Sequence, residues 1–171
     1  IKIAVFLQMA SKHFIKKKGV PRAMIVDFVN VKKQYDELRD EIHTSVERVL
    51  KSGMYVNGPE NKGFEKEFAE YCNAKHGLTC SNGTTALHLA LLAMGIKQGD
   101  EVITTPNTFF ATVEAIMHAG AKPVFVDVDE KTQTLDAKKL KEKITSKTKV
   151  ILPVHLFGHP AEMYAIREIA Q

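Results

Sequence analysis

Several features are scarce in this chain, and each scarcity excludes something. Its two cysteines, Cys72 and Cys80, make no metal-ligand spacing and no disulfide framework. A reducing, cytoplasmic setting is the simplest inference. Long apolar runs are missing near the N-terminus, where Ile3 to Leu7 is a run of only five residues, against the roughly 20 needed to span a bilayer. The basic cluster follows that run, so the segment makes a poor signal peptide. Acidic residues are absent from residues 1–23, which hold Lys2, Lys12, Lys16, Lys17, Lys18 and Arg22. Taking those six from the 24 basic residues leaves 18 against 20 acidic ones, so the formal +4 of the whole becomes −2 for the body. The basic character belongs to the leader, and nucleic-acid binding loses its main support. Such a leader could be a transit peptide, although it is poor in Ser and Arg. The preferred reading is an upstream or appended stretch outside the fold, with Met24 as the start and 24–171 as the folded segment. Because Ile1 is not a start residue, the sequence is expected to be incomplete at both ends.

Glycine-rich phosphate motifs are missing too. There is no G-x-x-x-x-G-K-[ST], and no G-x-G-x-x-G opens a helix. What is present is an ordinary globular composition, 44% hydrophobic over 171 residues, enough for one domain with a substantial core. Tyr35, Leu38, Ile42, Val46, Val49 and Leu50 recur at steps of three and four, which predicts an amphipathic helix from Val31 to Leu50, stopped at Ser52-Gly53. After a Gly58-Pro59 turn, a second helix is expected near Glu60, with Phe64, Phe68 and Tyr71 on one face. Short apolar stretches at Gly77–Cys80, Glu101–Thr105, Pro123–Val128 and Lys149–Val154 read as strands. Between them, helices are expected at about Thr84–Met94, Thr108–His118, Asp136–Ile144 and from Pro160 onward. This alternation predicts a three-layer α/β/α fold with a mainly parallel sheet covered on both faces. The helix Thr85–Met94 is apolar nearly all round, His88 excepted, and is expected to be buried on most sides. The lysine-rich run from Lys138 to Lys149 reads as a solvated face.

The most informative segment is Ser81-Asn82-Gly83-Thr84-Thr85-Ala86, which leads into that apolar helix. Helix N-terminal amides lack intrahelical partners and sit at the positive end of the dipole, so the place suits a phosphate. The blander reading is that Ser81 or Asn82 simply caps a core helix. The next strand ends at Thr105-Pro106-Asn107-Thr108-Phe109-Phe110. A ring delivered there could stack on a flat cofactor, or both phenylalanines could be core. A third strand end offers His155, for which a structural hydrogen bond is the ordinary reading. Strand C-terminal ends are where open α/β sheets bind ligands.

Taken in order, Ser52-Gly-Met-Tyr-Val-Asn-Gly-Pro-Glu60, Phe64–Tyr71, Ser81–Leu87, Gly99–Ile103, Pro106–Ala115, Gly120–Val128 and Pro153–Ala161 resemble the DegT/DnrJ/StrS family of nucleotide-sugar aminotransferases, over about Ile25 to Gln171. The resemblance implies a pyridoxal 5'-phosphate (PLP) enzyme of fold type I, aspartate aminotransferase-like, with an incomplete large domain. It implies a homodimer with shared active sites and amino transfer from an amino acid, commonly glutamate, to a nucleotide-linked keto sugar. By position, Gly83 and Thr84, helped by Thr85, would bind the cofactor phosphate, and Phe109 would stack on its ring. Tyr55 would lie near the substrate entrance, and His155 near the cofactor as a substrate-binding candidate without an assigned step. The aspartate that pairs with the pyridine nitrogen and the lysine that carries the cofactor are expected beyond Gln171, so the 171 residues alone are expected to be inactive. No metal is implied. The alternatives are a sugar dehydratase of the same family that lacks the lysine, a Rossmann-like nucleotide-binding module, and a regulatory protein without catalysis.

Overall fold

The computed structural model describes residues 28–171; the basic leader and Met24 lie outside the described residues. The chain divides into two compact units at Thr79/Cys80.

In residues 28–79, helix α1 (Val31–Ser52) begins where the Asn30 side chain accepts the Lys33 amide at 2.8 Å. That satisfies one of the donors a helix start leaves open. It ends at Gly53, left-handed at φ 66, whose N–H reaches the Leu50 carbonyl. This backbone conformation favours glycine. Helix α2 (Pro59–Tyr71) opens with Pro59 in its first turn, where a missing N–H costs nothing. Arg48 on α1 donates to Glu60 on α2 at 2.7 Å. The bond holds Glu60 below, and Arg48 above, their ordinary values. Both groups are exposed, so the pair orients more than it stabilises. Phe64, Phe68 and Tyr71 share one face of α2, with ring centroids 5.4 and 6.4 Å apart along the row.

The strand expected at Gly77–Cys80 does not form. A side-chain clasp accounts for this: the Thr79 amide and hydroxyl both donate to one carboxylate oxygen of Glu65, each at 2.8 Å, so the donor a sheet ladder would need is committed to α2. Gly77 allows that approach, because a Cβ there would sit 2.4 Å from the Glu65 carbonyl oxygen.

In residues 80–171, strands β1 (Glu101–Thr104), β2 (Lys122–Phe125) and β3 (Thr148–Ile151) form a parallel sheet in the order β2-β1-β3. Pro123 lies on β2, an edge strand among the described residues, where a missing ladder donor is tolerated. The strands build two cores because side chains alternate across a sheet. Val102, Val150 and Leu152 pack with Leu87 and Leu91 of helix α3 (Gly83–Ala93) and with Ala115 and Ile116 of helix α4 (Phe110–His118). Their neighbours Ile103 and Ile151 face the other way, onto Leu140 of helix α5 (Ala137–Leu140) and Ile166 of helix α6 (Met163–Ala170). This is the expected three-layer arrangement.

Several details differ from the sequence reading, among them the strand expected at Lys149–Val154, which spans Thr148–Ile151. β2 stops at Phe125, and Val128 instead makes an isolated antiparallel bridge with Leu135. The helix expected over Asp136–Ile144 is one α-turn followed by a 3-10 turn at Lys141–Lys143. The last helix starts at Met163, not Pro160. Helix α3 is not buried on most sides: Leu87 and Leu91 are core, whereas Leu89 and Leu92 are about half exposed, at 50% and 47%. Among the described residues of this unit its packing is one-sided, with the Leu87 and Leu91 face set against α4 and the sheet. The lysines from Lys138 to Lys149 are exposed as expected.

A candidate anion and ring-binding cleft

The C-terminal ends of β1 and β3 and the starts of α3 and α4 converge on one cleft of about 400 Å³. Each wall follows from its local sequence. Asn82 accepts the Thr85 amide at 2.9 Å and so caps α3; the Ser81 and Thr85 hydroxyls bond each other at 3.2 Å. With these donors committed, the Gly83 and Thr84 amides and the Thr84 hydroxyl have no hydrogen-bond partner among the described residues. Gly83 and Thr84 both line the cleft, and Thr85 does not. The cap and the anion site are therefore compatible uses of one hexapeptide, with Asn82 and Thr85 performing the first and Gly83 and Thr84 available for the second.

The second helix start lies beside the first. α4 opens after Phe109, which lines the cleft and is 56% exposed. Thr108 and Thr112 tie this turn together with a 2.9 Å hydroxyl pair. Phe110 is 71% exposed and does not line the cleft. The core reading therefore fails for both phenylalanines: burial in this turn passes to Ala111 and Thr112. The third wall, Leu152 to Leu156, is set by β1. The Leu152 amide donates to Ile103 at 2.7 Å, and the buried Thr104 hydroxyl donates to the Leu152 carbonyl at 2.8 Å.

Among the described residues no Asp, Glu, Lys or Arg lines the cleft. What the cleft offers an anion is the start of α3, with the unbonded Gly83 and Thr84 amides at the positive end of the helix dipole. Fixed N–H groups, a threonine hydroxyl and an apolar floor with one exposed ring match the chemistry of a phosphorylated aromatic cofactor such as PLP. His155 also lines the cleft. Tyr55 belongs to residues 28–79, where its hydroxyl donates to the Leu50 carbonyl at 3.4 Å. Sequence reasoning did not single out Thr108, Thr112 or Leu152. The threonines carried a signal, two hydroxyls four residues apart across a helix start, whereas Leu152 enters only through its backbone register. Among the described residues no helix is long and apolar enough to cross a membrane.

The chain is 47% identical to dTDP-3-amino-3,4,6-trideoxy-alpha-D-glucose transaminase of Streptomyces venezuelae, over 85% of this chain and 38% of that protein. The structure of S. venezuelae DesV in complex with a ketimine intermediate superposes with a TM-score of 0.82 at 47% identity, covering 85% of this chain and 39% of that one. The Bacillus subtilis protein NtdA with bound cofactor PMP gives 0.79 at 39% identity, covering 88% and 35%. The chain thus spans about two-fifths of the length of the curated relatives it matches, 40%, 40% and 38% for three of them. Its sheet and flanking helices are those of part of a fold-type-I PLP-dependent transferase. The DegT/DnrJ/EryC1/StrS aminotransferase family matches residues 36–171, and the chain belongs to that family.

Proposed function

We propose that this chain supplies the cofactor-holding part of a PLP-dependent aminotransferase that moves an amino group from an amino acid, glutamate by the resemblance, to a nucleotide-linked keto sugar. The observation that carries the reading is the pair of unbonded amides at Gly83 and Thr84, in the same cleft as the exposed ring of Phe109. PLP, when bound, supplies an electron sink that labilises bonds at the carbon bearing the amino group. The chain's own residues bind and orient. Gly83 and Thr84 would hold the phosphate, with the α3 dipole behind them and Thr85 supporting through the cap. Phe109 would lie against the cofactor ring, and the apolar walls would exclude water from it. No lysine lines the cleft among the described residues. Tyr55 and His155 would contact substrate. Residues 24–171 would form the N-terminal segment of the large domain, with the leader 1–23 outside it. The assembly would be a cytoplasmic homodimer, and sedimentation of the purified protein tests the dimer.

The decisive experiment measures PLP affinity in the full-length protein that carries this chain. Thr84→Leu removes a donor to an anion, an interaction of about 1.5–3 kcal/mol, and should weaken PLP binding at least about tenfold. Unchanged affinity would mean that Ser81–Ala86 is a helix cap only. Phe109→Ala should weaken binding about twofold to tenfold, from a stacking contribution of about 0.5–1.5 kcal/mol. Phe110→Ala should leave affinity alone; equal losses at the two positions would put the stacking ring elsewhere.

A further inference from the structure

His155 stands four residues beyond the end of β3, at Ile151, and is the residue before a 3-10 turn, Leu156–Gly158. That turn is held in an unusual shape. Phe157 adopts φ 56 and Gly158 φ 81, so two consecutive residues are left-handed, one of them a bulky non-glycine. Such a conformation persists only where the surroundings over-determine it. The result is a tight reversal: the Gly158 amide reaches the His155 carbonyl at 3.2 Å and the His159 amide reaches the Leu156 carbonyl at 3.1 Å. The chain then returns Ala161, buried at 4% exposure, to the imidazole, and the Ala161 amide donates to His155 Nδ1 at 3.1 Å.

That bond has a chemical consequence. An imidazole nitrogen that accepts an N–H cannot carry a proton, so the neutral ring must carry its proton on Nε2. Nε2 has no hydrogen-bond partner among the described residues, while the half-buried His155 lines the same cleft as Gly83, Thr84 and Phe109. We propose that His155 is a tautomer-locked positioning residue: its Nδ1 is anchored by the Ala161 amide, and its Nε2–H is offered to an oxygen acceptor on the ligand in the cleft. In this form the ring donates and orients, and it does not take a proton from the ligand. The inference rests on the cleft being the PLP site proposed above.

The two nitrogens can be separated by substitution. Asn places an oxygen near the Nδ1 position, keeping the bond to Ala161 and losing the far donor. Gln places its amide near Nε2, keeping a donor and losing the anchor. Selective 15N labelling of histidine in the full-length protein without ligand should show a pyridine-like Nδ1 and a pyrrole-like Nε2 for His155. The opposite assignment overturns the lock. Amide exchange at Ala161 should stay slow in His155→Asn and quicken in His155→Gln, while the Leu152 amide, bonded to the Ile103 carbonyl, stays slow in both and reports that each variant is folded.

Ligand affinity should run the other way, with His155→Asn about tenfold worse than wild type and His155→Gln closer to wild type than His155→Asn. A loss in PLP affinity places the acceptor on the cofactor. Intact PLP affinity, with KM for glutamate raised about tenfold at unchanged kcat, places it on the substrate. Wild-type behaviour of His155→Asn in both measurements, or His155→Gln as poor as His155→Asn, overturns the proposal. Failure of the wild type itself to bind PLP overturns the cofactor reading, and is distinguishable because it is read before any variant is made.

Discussion

Residues 28–79 and 80–171 carry equally clear apolar patterns and use them differently. In α1 the positions Tyr35, Leu38, Ile42 and Val46 keep helical spacing, yet each is at least 40% exposed, and no residue of that helix is buried. In the second unit, Val102 and Ile103 alternate on β1 and both are fully buried, one in each core. What holds the first unit's elements in place is a set of single polar contacts and turns: the Asn30 cap, the left-handed Gly53, the Arg48–Glu60 pair and the Glu65–Thr79 clasp. What holds the second is burial between layers. A periodic pattern reports which face of an element is apolar, and says nothing of how much of that face becomes covered.

The comparison is broken most directly by removing equal volumes from the two units. Ile103→Ala should cost about 2–5 kcal/mol, because transfer and cavity terms both apply. Ile42→Ala should stay within about 0.5 kcal/mol, since surface substitutions of this kind rarely exceed that. Urea denaturation of both variants checks the contrast; similar losses would show that the α1 stripe is as buried in solution as the sheet. A smaller effect sharpens the same point from the other side. Asn82→Ala and Asn30→Ala should each cost about 1 kcal/mol, alike in the two units, because a cap acts within one helical turn. A strong inequality would show that one of the caps is coupled to tertiary packing.

The smallest expected effect concerns acid. Donation from the Thr79 amide, and then from its hydroxyl, holds the Glu65 carboxyl below its ordinary value of 4.5. A carboxylate whose folded value is depressed contributes stability that is complete above the unfolded value and is lost as pH falls through the folded one. Exchange of the Thr79 amide should therefore quicken only on the acid side of 4.5, relative to its intrinsic rate. Glu65→Gln should remove that pH dependence. A dependence that survives the substitution would assign the clasp to another group.

Much of the fold was legible because its signals are local. Asn30, Gly53 and Pro59 mark helix ends by their own chemistry, and the alternation of short apolar runs with helical spacing implies a layered parallel sheet. The missing strand at Gly77–Cys80 and the one-sided burial of α3 were not legible. Both depend on groups remote in sequence: a Glu65 carboxylate fourteen residues before Thr79, and α4 and the sheet, which among the described residues cover the Leu87 and Leu91 side of α3 and leave Leu89 and Leu92 half exposed. At the site, Ser81–Ala86 could be read as a cap or as an anion cradle, and the structure divides those roles among neighbours. Phe109 and Phe110 are indistinguishable by type. Only the entry of α4, which points one of them into the cleft, separates them.

By itself the sequence determined the class of the protein, the order of the helices and of the three strands that form, and the segments at which a ligand site could be built. These follow from periodicity, capping chemistry and the wording of ordered motifs, all of which act over a few residues. The tertiary structure alone decided that the starts of α3 and α4 and the segment after β3 enclose one cleft, that Thr85 is committed to the cap while Thr84 is available, and that the His155 ring is anchored by an amide six residues away. Each of these depends on which donor reaches which acceptor first. Backbone register and the burial of Thr104, Ile103 and Ala161 settle that through space, and no local pattern records it.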